Sequence, residues 1–74
     1  MDNGLRPGER ILIHMRKNSG RFFSYSDLSS ELEIEKSTVK RNIDRFIWGG
    51  LVEDDLIRDK KTGRIRIMFR SLQK

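Results

Sequence analysis

The sequence predicts an α+β domain in which three helices precede a C-terminal two-stranded β-hairpin. Three observations lead there. Apolar residues recur at helical spacing as far as Trp48, and then alternate with charged ones from Arg64 onward. Gly49-Gly50 stands between the two regimes and stops a helix, with one glycine expected in the left-handed C-cap conformation. "KKTG", 60–63, divides two strand-like stretches as a hairpin turn would.

The elements follow in order. Residues 1–6 read as a loose leader containing Asn3 and Gly4. Pro7 suits a first helical turn, where its missing N–H costs nothing, and Glu9 suits the positive end of the helix dipole. Ile11, Leu12 and Met15 fall at helical spacing, with Ile13 beside them, and Asn18-Ser19-Gly20 ends the segment. The first helix is therefore expected over 7–18. "RFFSY", 21–25, is short, aromatic and bounded by turn residues, which predicts a brief strand. Ser26 is the expected N-cap of a second helix that carries Leu28 and Leu32 and ends near Glu33. Ile34 is an apolar residue in the turn. The third helix spans 36–48. In the hairpin, Ile65, Ile67 and Phe69 alternate with Arg64, Arg66, Met68 and Arg70, the pattern of a strand with one buried face.

Length and composition narrow the function. The chain has 74 residues, enough for one domain, 1–74. A domain of this size buries roughly 60% of the surface its unfolded chain exposes, so the core is thin. There is no cysteine and only one histidine, which excludes a zinc site of the Cys/His kind. No apolar run has the length of a membrane span, and "MDNGLRPGER" lacks the apolar stretch of a signal peptide. A soluble, cytoplasmic protein is expected. Sixteen Lys and Arg stand against eleven Asp and Glu, a net charge of +5. That bias points to an anionic partner such as nucleic acid. The charge is also segregated. Asp27, Glu31, Glu33 and Glu35 lie together without a base, whereas Arg58, Lys60, Lys61, Arg64, Arg66 and Arg70 cluster near the C-terminus.

The third helix combines both features. At about 100° per residue, Val39, Ile43, Phe46 and Ile47 share one arc. Ser37, Arg41 and Arg45 lie on the far side, beside Thr38, Asp44 and Trp48, while Lys36 and Lys40 flank the apolar stripe. A solvated face with an Asp44–Arg41 or Asp44–Lys40 pair would explain the charge. The alternative is a face presented to DNA. Two short helices joined by two or three residues around Ile34 must cross steeply, as in a helix-turn-helix, with Ser29 and Ser30 keeping the second helix small at the crossing. In that geometry the N-terminal residues of the following helix, here Lys36, Ser37, Thr38, Lys40 and Arg41, enter the major groove. Arginine bonds guanine bidentately, and serine or threonine bonds phosphates or bases.

"SDLSSELEIEKSTVKRNIDRFIWGGLV" resembles the core of a winged helix-turn-helix DNA-binding domain of the bacterial and archaeal transcriptional regulators. The pattern is an apolar-x3-apolar helix, an apolar turn residue, a Ser/Thr-Val-x3-Ile/Leu-x2-Leu/Phe helix, then Gly-Leu-Ile/Val. Leu28, Leu32, Ile34, Thr38, Val39, Ile43, Phe46, Gly50, Leu51 and Val52 match it, and the resemblance spans about residues 7–70. It implies a winged-helix fold whose hairpin is the wing, with Lys60, Lys61, Arg64 and Arg66 against the DNA backbone or minor groove. As an unliganded alternative, those lysines would guard an edge hairpin against aggregation. The chain departs from the family twice. Glu33 stands where the turn often has glycine, which implies a different turn geometry. Ile47 and Trp48 stand where the helix usually ends in charges. Ile47 would widen the core stripe; Trp48 would cover the hairpin base or the first helix, or the pair would form a dimer contact.

The expected function is sequence-specific binding of double-stranded DNA by a small transcriptional regulator, with major-groove contacts from 36–48 and wing contacts from 58–66. The sites are Lys36, Ser37, Thr38, Lys40, Arg41 and Arg45 on the helix and Lys60, Lys61, Arg64 and Arg66 on the wing. Ile47 and Trp48 are the candidate homodimer contact, with the first helix and the leader as other surfaces. One alternative is a protein-interaction module of a larger assembly, using the acidic second helix and Trp48. Another is RNA or structure-selective binding, with Phe22, Tyr25 or Trp48 stacked on bases. No cofactor, metal or membrane partner is expected. Glu53, Asp54 and Asp55 alternate in direction along a strand, which argues against a metal site. His14 lies mid-helix in a packing or surface role. No Ser/His/Asp set, glycine-rich phosphate loop or inward carboxylate pair is present, so an enzyme is not expected.

Overall fold

The computed structural model describes residues 4–72. Its elements are α1 Pro7–Lys17, α2 Tyr25–Leu32, α3 Lys36–Trp48, β1 Val52–Arg58 and β2 Ile65–Ser71. The molecule is α+β, with three helices and one two-stranded antiparallel sheet. Of the expected leader, residues 1–3 lie outside the described residues.

Local chemistry fixes each helix end. Pro7 sits in the first turn of α1 with Glu9, and His14, Arg16 and Lys17 stand in its last turn, each sign at the end the dipole favours. Asn18 Nδ2 donates to the His14 carbonyl at 2.9 Å and closes that turn. At α2 the N-cap is Ser24, not Ser26. The Ser24 hydroxyl accepts from Asp27 N at 3.0 Å, and Asp27 Oδ2 accepts from Ser24 N at 3.0 Å. This reciprocal capping box satisfies two first-turn donors at once, and a cap of this kind stabilises a helix by about 1 kcal/mol. It draws Tyr25 into the helix. The strand expected over 21–25 therefore shrinks to a single antiparallel bridge, Phe23 to Phe69.

The far end of α2 has no basic residue of its own in the last turn. Arg10 of α1 supplies one, donating from Nη2 to the Leu32 carbonyl at 2.7 Å. Glu33 then takes φ 55°, ψ 48°, the left-handed conformation that glycine favours at a helix C-terminus. The expectation that Glu33 would change the turn is not met; it occupies the glycine conformation without being glycine. The Ser29 hydroxyl donates to the Ile34 carbonyl at 2.6 Å and secures the turn. Ser29 is half-buried there, but Ser30 is exposed. At the end of α3, Gly50 is the left-handed glycine, with φ 75°. Leu51 N bonds Phe46 O at 2.9 Å and Gly50 N bonds Ile47 O at 3.1 Å, the paired bonds of a Schellman stop.

The core is Ile11 and Met15 from α1, Phe23, Leu28 from α2, Ile34 from the turn, Val39 and Ile43 from α3, and Val52 and Phe69 from the sheet. Tyr25, Leu32, Phe46 and Ile47 pack against its edge. The α1–α3 crossing is close at Gly8, where a methyl group would stand 2.5 Å from Asn42 Oδ1. Asn42 Nδ2 in turn donates to the Thr38 carbonyl at 2.9 Å.

The sheet pairs Val52 with Ser71 through to Arg58 with Ile65. Asp59 N donates to Arg64 O at 2.7 Å, which leaves Lys60–Gly63 as the turn, with Gly63 at φ 74°. One correction concerns its buried face. Of the alternating residues Ile65, Ile67 and Phe69, only Phe69 is buried; Ile65 and Ile67 are 59% and 41% exposed. The helices cover the base of the hairpin, and its distal half projects beyond them. That projection helps stretch the molecule to 40 × 23 × 20 Å.

Candidate nucleic-acid interface

α3 is held from below and open from above. Val39 and Ile43 are fully buried, and Phe46 and Ile47 rest on the core edge. These four residues fix the rotation of the helix about its axis. Lys36, Ser37, Lys40, Arg41 and Arg45 are all exposed as a consequence, and Thr38 is half-buried. Burying a side chain such as Val39 or Ile43 stabilises the fold by about 1.5–3 kcal/mol, so the apolar stripe, not the charge, sets this orientation.

The electrostatics of this face are one-sided. Among the described residues, ion pairs join Arg21 and His14 to Glu31, and Arg70 to Glu53. None involves Lys36, Lys40, Arg41 or Arg45, so the Asp44 pairs considered above do not form. Nor does the first turn of α3 contain an acidic residue, and its N-cap Glu35 makes no side-chain cap. Helix dipole and side chains therefore add with the same sign at this end.

The hairpin turn forms the second basic group. Lys60, Lys61, Arg64 and Arg66 are exposed and without ion pairs among the described residues. The turn is built rather than loose. Asp59 Oδ1 accepts from Lys61 N at 2.8 Å, and Thr62 Oγ1 accepts from Arg64 N at 3.2 Å. Those bonds settle the backbone while leaving the cationic ends in water.

Trp48 is 92% exposed and covers neither the hairpin base nor α1. It shares the outer stripe of α3 with Ser37, Arg41 and Asp44, about 16 Å along the axis from Ser37. Ile47, named with it as a dimer contact, lies instead against the core. Of the other aromatic residues considered for base stacking, Tyr25 packs on Phe69 at 4.6 Å between ring centroids, and Phe22 lies 5.0 Å under the Arg70 guanidinium. Burial and the nearby Asp44 and Asp54 raise the Tyr25 phenol above its ordinary pKa, so it stays protonated.

The acidic side chains have structural partners. Glu31 binds Arg21 through both oxygens, at 3.2 and 2.5 Å, and His14 Nε2 at 2.9 Å. His14 also sits 5.4 Å from the Phe23 ring, between the first two helices. Glu53 bonds Arg70 across the strands. No group of three or more His, Asp or Glu among the described residues is placed to hold a metal ion. No described helix is long and apolar enough to cross a membrane.

Sequence reasoning missed the open apolar side of the hairpin, formed by Leu56, Ile65 and Ile67. Its period-two pattern was visible, but the reach of the helical body over it was not. No family model matches the chain, and no curated protein or solved structure matches it either.

Proposed function

We propose that the chain is a winged helix-turn-helix domain that binds double-stranded DNA sequence-specifically, as a small transcriptional regulator. One observation carries this reading. The basic side chains of α3 and of the hairpin turn are exposed without ion pairs, while the acids near them are bonded elsewhere or lie apart. A merely solvated face would gain by pairing some of this charge. In the proposed complex, Ser37, Thr38 and Arg41 read bases in the major groove. Lys36, Lys40 and Arg45 hold phosphates beside them, and Lys60, Lys61, Arg64 and Arg66 bring the wing onto the backbone or into the minor groove.

The test uses the only tryptophan of the chain. Duplexes selected from a random pool are titrated into the protein at low salt, with anisotropy of the labelled DNA and Trp48 fluorescence followed together. Saturable binding with a change in Trp48 emission is expected, since Trp48 shares the stripe that carries Arg41. Absence of duplex binding at low salt rules the reading out.

The exposure of Trp48 favours a second reading, a protein-interaction module of a larger assembly. Exposed tryptophan is enriched at interfaces. An RNA or structure-selective binder would use the same ring for stacking. Competition between the selected duplex and single-stranded or hairpin RNA separates these, because base stacking makes the unpaired strand the stronger competitor.

A further inference from the structure

The register of the sheet sorts the hairpin side chains into two sets. Val52, Asp54, Leu56 and Arg58 share one face with Ile65, Ile67, Phe69 and Ser71. The base of that face, at Val52, Phe69 and Ser71, is buried against the helices. Beyond it, Leu56 is 67%, Ile65 59% and Ile67 41% exposed. Leu56 stands directly opposite Ile67, and Ile65 is the next residue of β2 on that face, so the three form one contiguous apolar patch. The reverse face carries Glu53, Asp55, Arg66 and Arg70, so the hairpin already has a polar side for water. An open two-stranded ribbon with an apolar face is marginal in water unless something covers it.

Asp54 and Arg58 flank Leu56 on the patch, each two residues away. They carry opposite charges, yet they lie about 13 Å apart along one strand and cannot meet each other. Neither forms an ion pair among the described residues. A second copy turned end for end meets both needs at once. We propose that the distal halves of two hairpins pack face to face, about a two-fold axis that crosses the strands at the Leu56–Ile67 pair. Leu56 then meets Leu56 and Ile67 meets Ile67. Asp54 of each chain stands opposite Arg58 of the other, twice, as an isologous interface requires. A two-fold axis running along the strands would instead set Asp54 on Asp54 and Arg58 on Arg58. Juxtaposed like charges disfavour that arrangement. The charge pattern thus selects both the occupant and its direction. This inference does not depend on the DNA reading.

Three apolar side chains per copy make a small interface, at the low end of specific association. The dimer is therefore weak and concentration-dependent. Sedimentation equilibrium of the full chain, from about 1 µM to about 1 mM, reads it directly. The wild type is expected to pass from monomer to dimer across this range. Leu56→Asp is expected to stay monomeric with an unchanged circular dichroism spectrum, because Leu56 is largely exposed in the monomer. Asp54→Arg alone and Arg58→Asp alone are each expected to weaken association at least tenfold, by placing like charges together at two positions. The double variant Asp54→Arg/Arg58→Asp regenerates both pairs and is expected to recover association to near the wild-type level. A wild type that stays monomeric throughout overturns the proposal, as does a Leu56→Asp variant that dimerises normally. A double variant as weak as the single ones overturns the antiparallel pairing.

Discussion

Phe23 and Phe69 exchange both of their backbone hydrogen bonds, N–H to carbonyl at 2.7 Å in each direction. Phe23 lies in the link between α1 and α2, and Phe69 lies on β2, so this pair ties the hairpin to the helices. Both rings are fully buried. Phe23 also supports the Arg21 guanidinium 4.3 Å from its ring, while Phe69 carries Tyr25.

Phe23→Ala is therefore expected to destabilise the fold by about 3–5 kcal/mol, through lost burial and the cavity left behind. A chain of this length has roughly 4–11 kcal/mol to lose, so the variant is marginal at room temperature. Urea unfolding followed by circular dichroism measures the difference. A loss under about 1 kcal/mol would mean that the two rings do not form a rigid contact.

Glu33 holds a left-handed backbone that costs a non-glycine residue about 1–2 kcal/mol. Glu33→Gly removes that cost but adds backbone freedom to the unfolded chain. A net gain of about 0.5–1 kcal/mol is expected, with the turn between α2 and α3 unchanged. Thermal melting of both proteins compares them, and a lower melting temperature for the variant would contradict the strain argument.

Glu31 has its carboxyl pKa lowered, first by the hydrogen bond from Arg21 and then by that from His14. A depressed folded-state pKa gives stability that is complete above the unfolded carboxylate value, near 4.5. That stability fades as pH falls through the lower, folded value. The pair is largely exposed, so the effect is small and screened by salt. Wild type is expected to lose more stability than Glu31→Gln between about pH 5 and about pH 3. Parallel losses in urea midpoint would show that the Arg21–Glu31 contact contributes nothing in solution.

The sequence revealed the third helix better than any other element, because one stripe decides its facing. Lys36–Trp48 is bounded by Gly49-Gly50, and Val39, Ile43, Phe46 and Ile47 lie on the core side. The second helix was misread at its start. Ser24 and Ser26 both looked like caps, but only Ser24 has an acid three residues on, Asp27, to complete a capping box. That signal was present and was overridden by the aromatic look of "RFFSY". The hairpin shows a deeper limit. Alternation tells which side chains share a face, as it did for Ile65, Ile67 and Phe69. It does not tell how far three short helices reach over that face, because that depends on where the sheet leaves the body. Trp48 fell on the outer face as periodicity required, and the cover expected for it came from neither the hairpin nor α1.

The central claim is that α3 and the hairpin turn bind duplex DNA through charge and base contacts together. The salt dependence of affinity for a selected duplex tests it most directly. With about five phosphates contacted, affinity is expected to fall on the order of 10²–10³-fold between about 50 mM and about 200 mM salt. Lys61→Ala is expected to lower the logarithmic slope by about 1 while weakening all sequences alike. Arg41→Ala is expected to flatten preference at one base pair by about 1–3 kcal/mol. Affinity that does not change with salt, or duplex binding that is absent even at the lowest salt, would contradict the account.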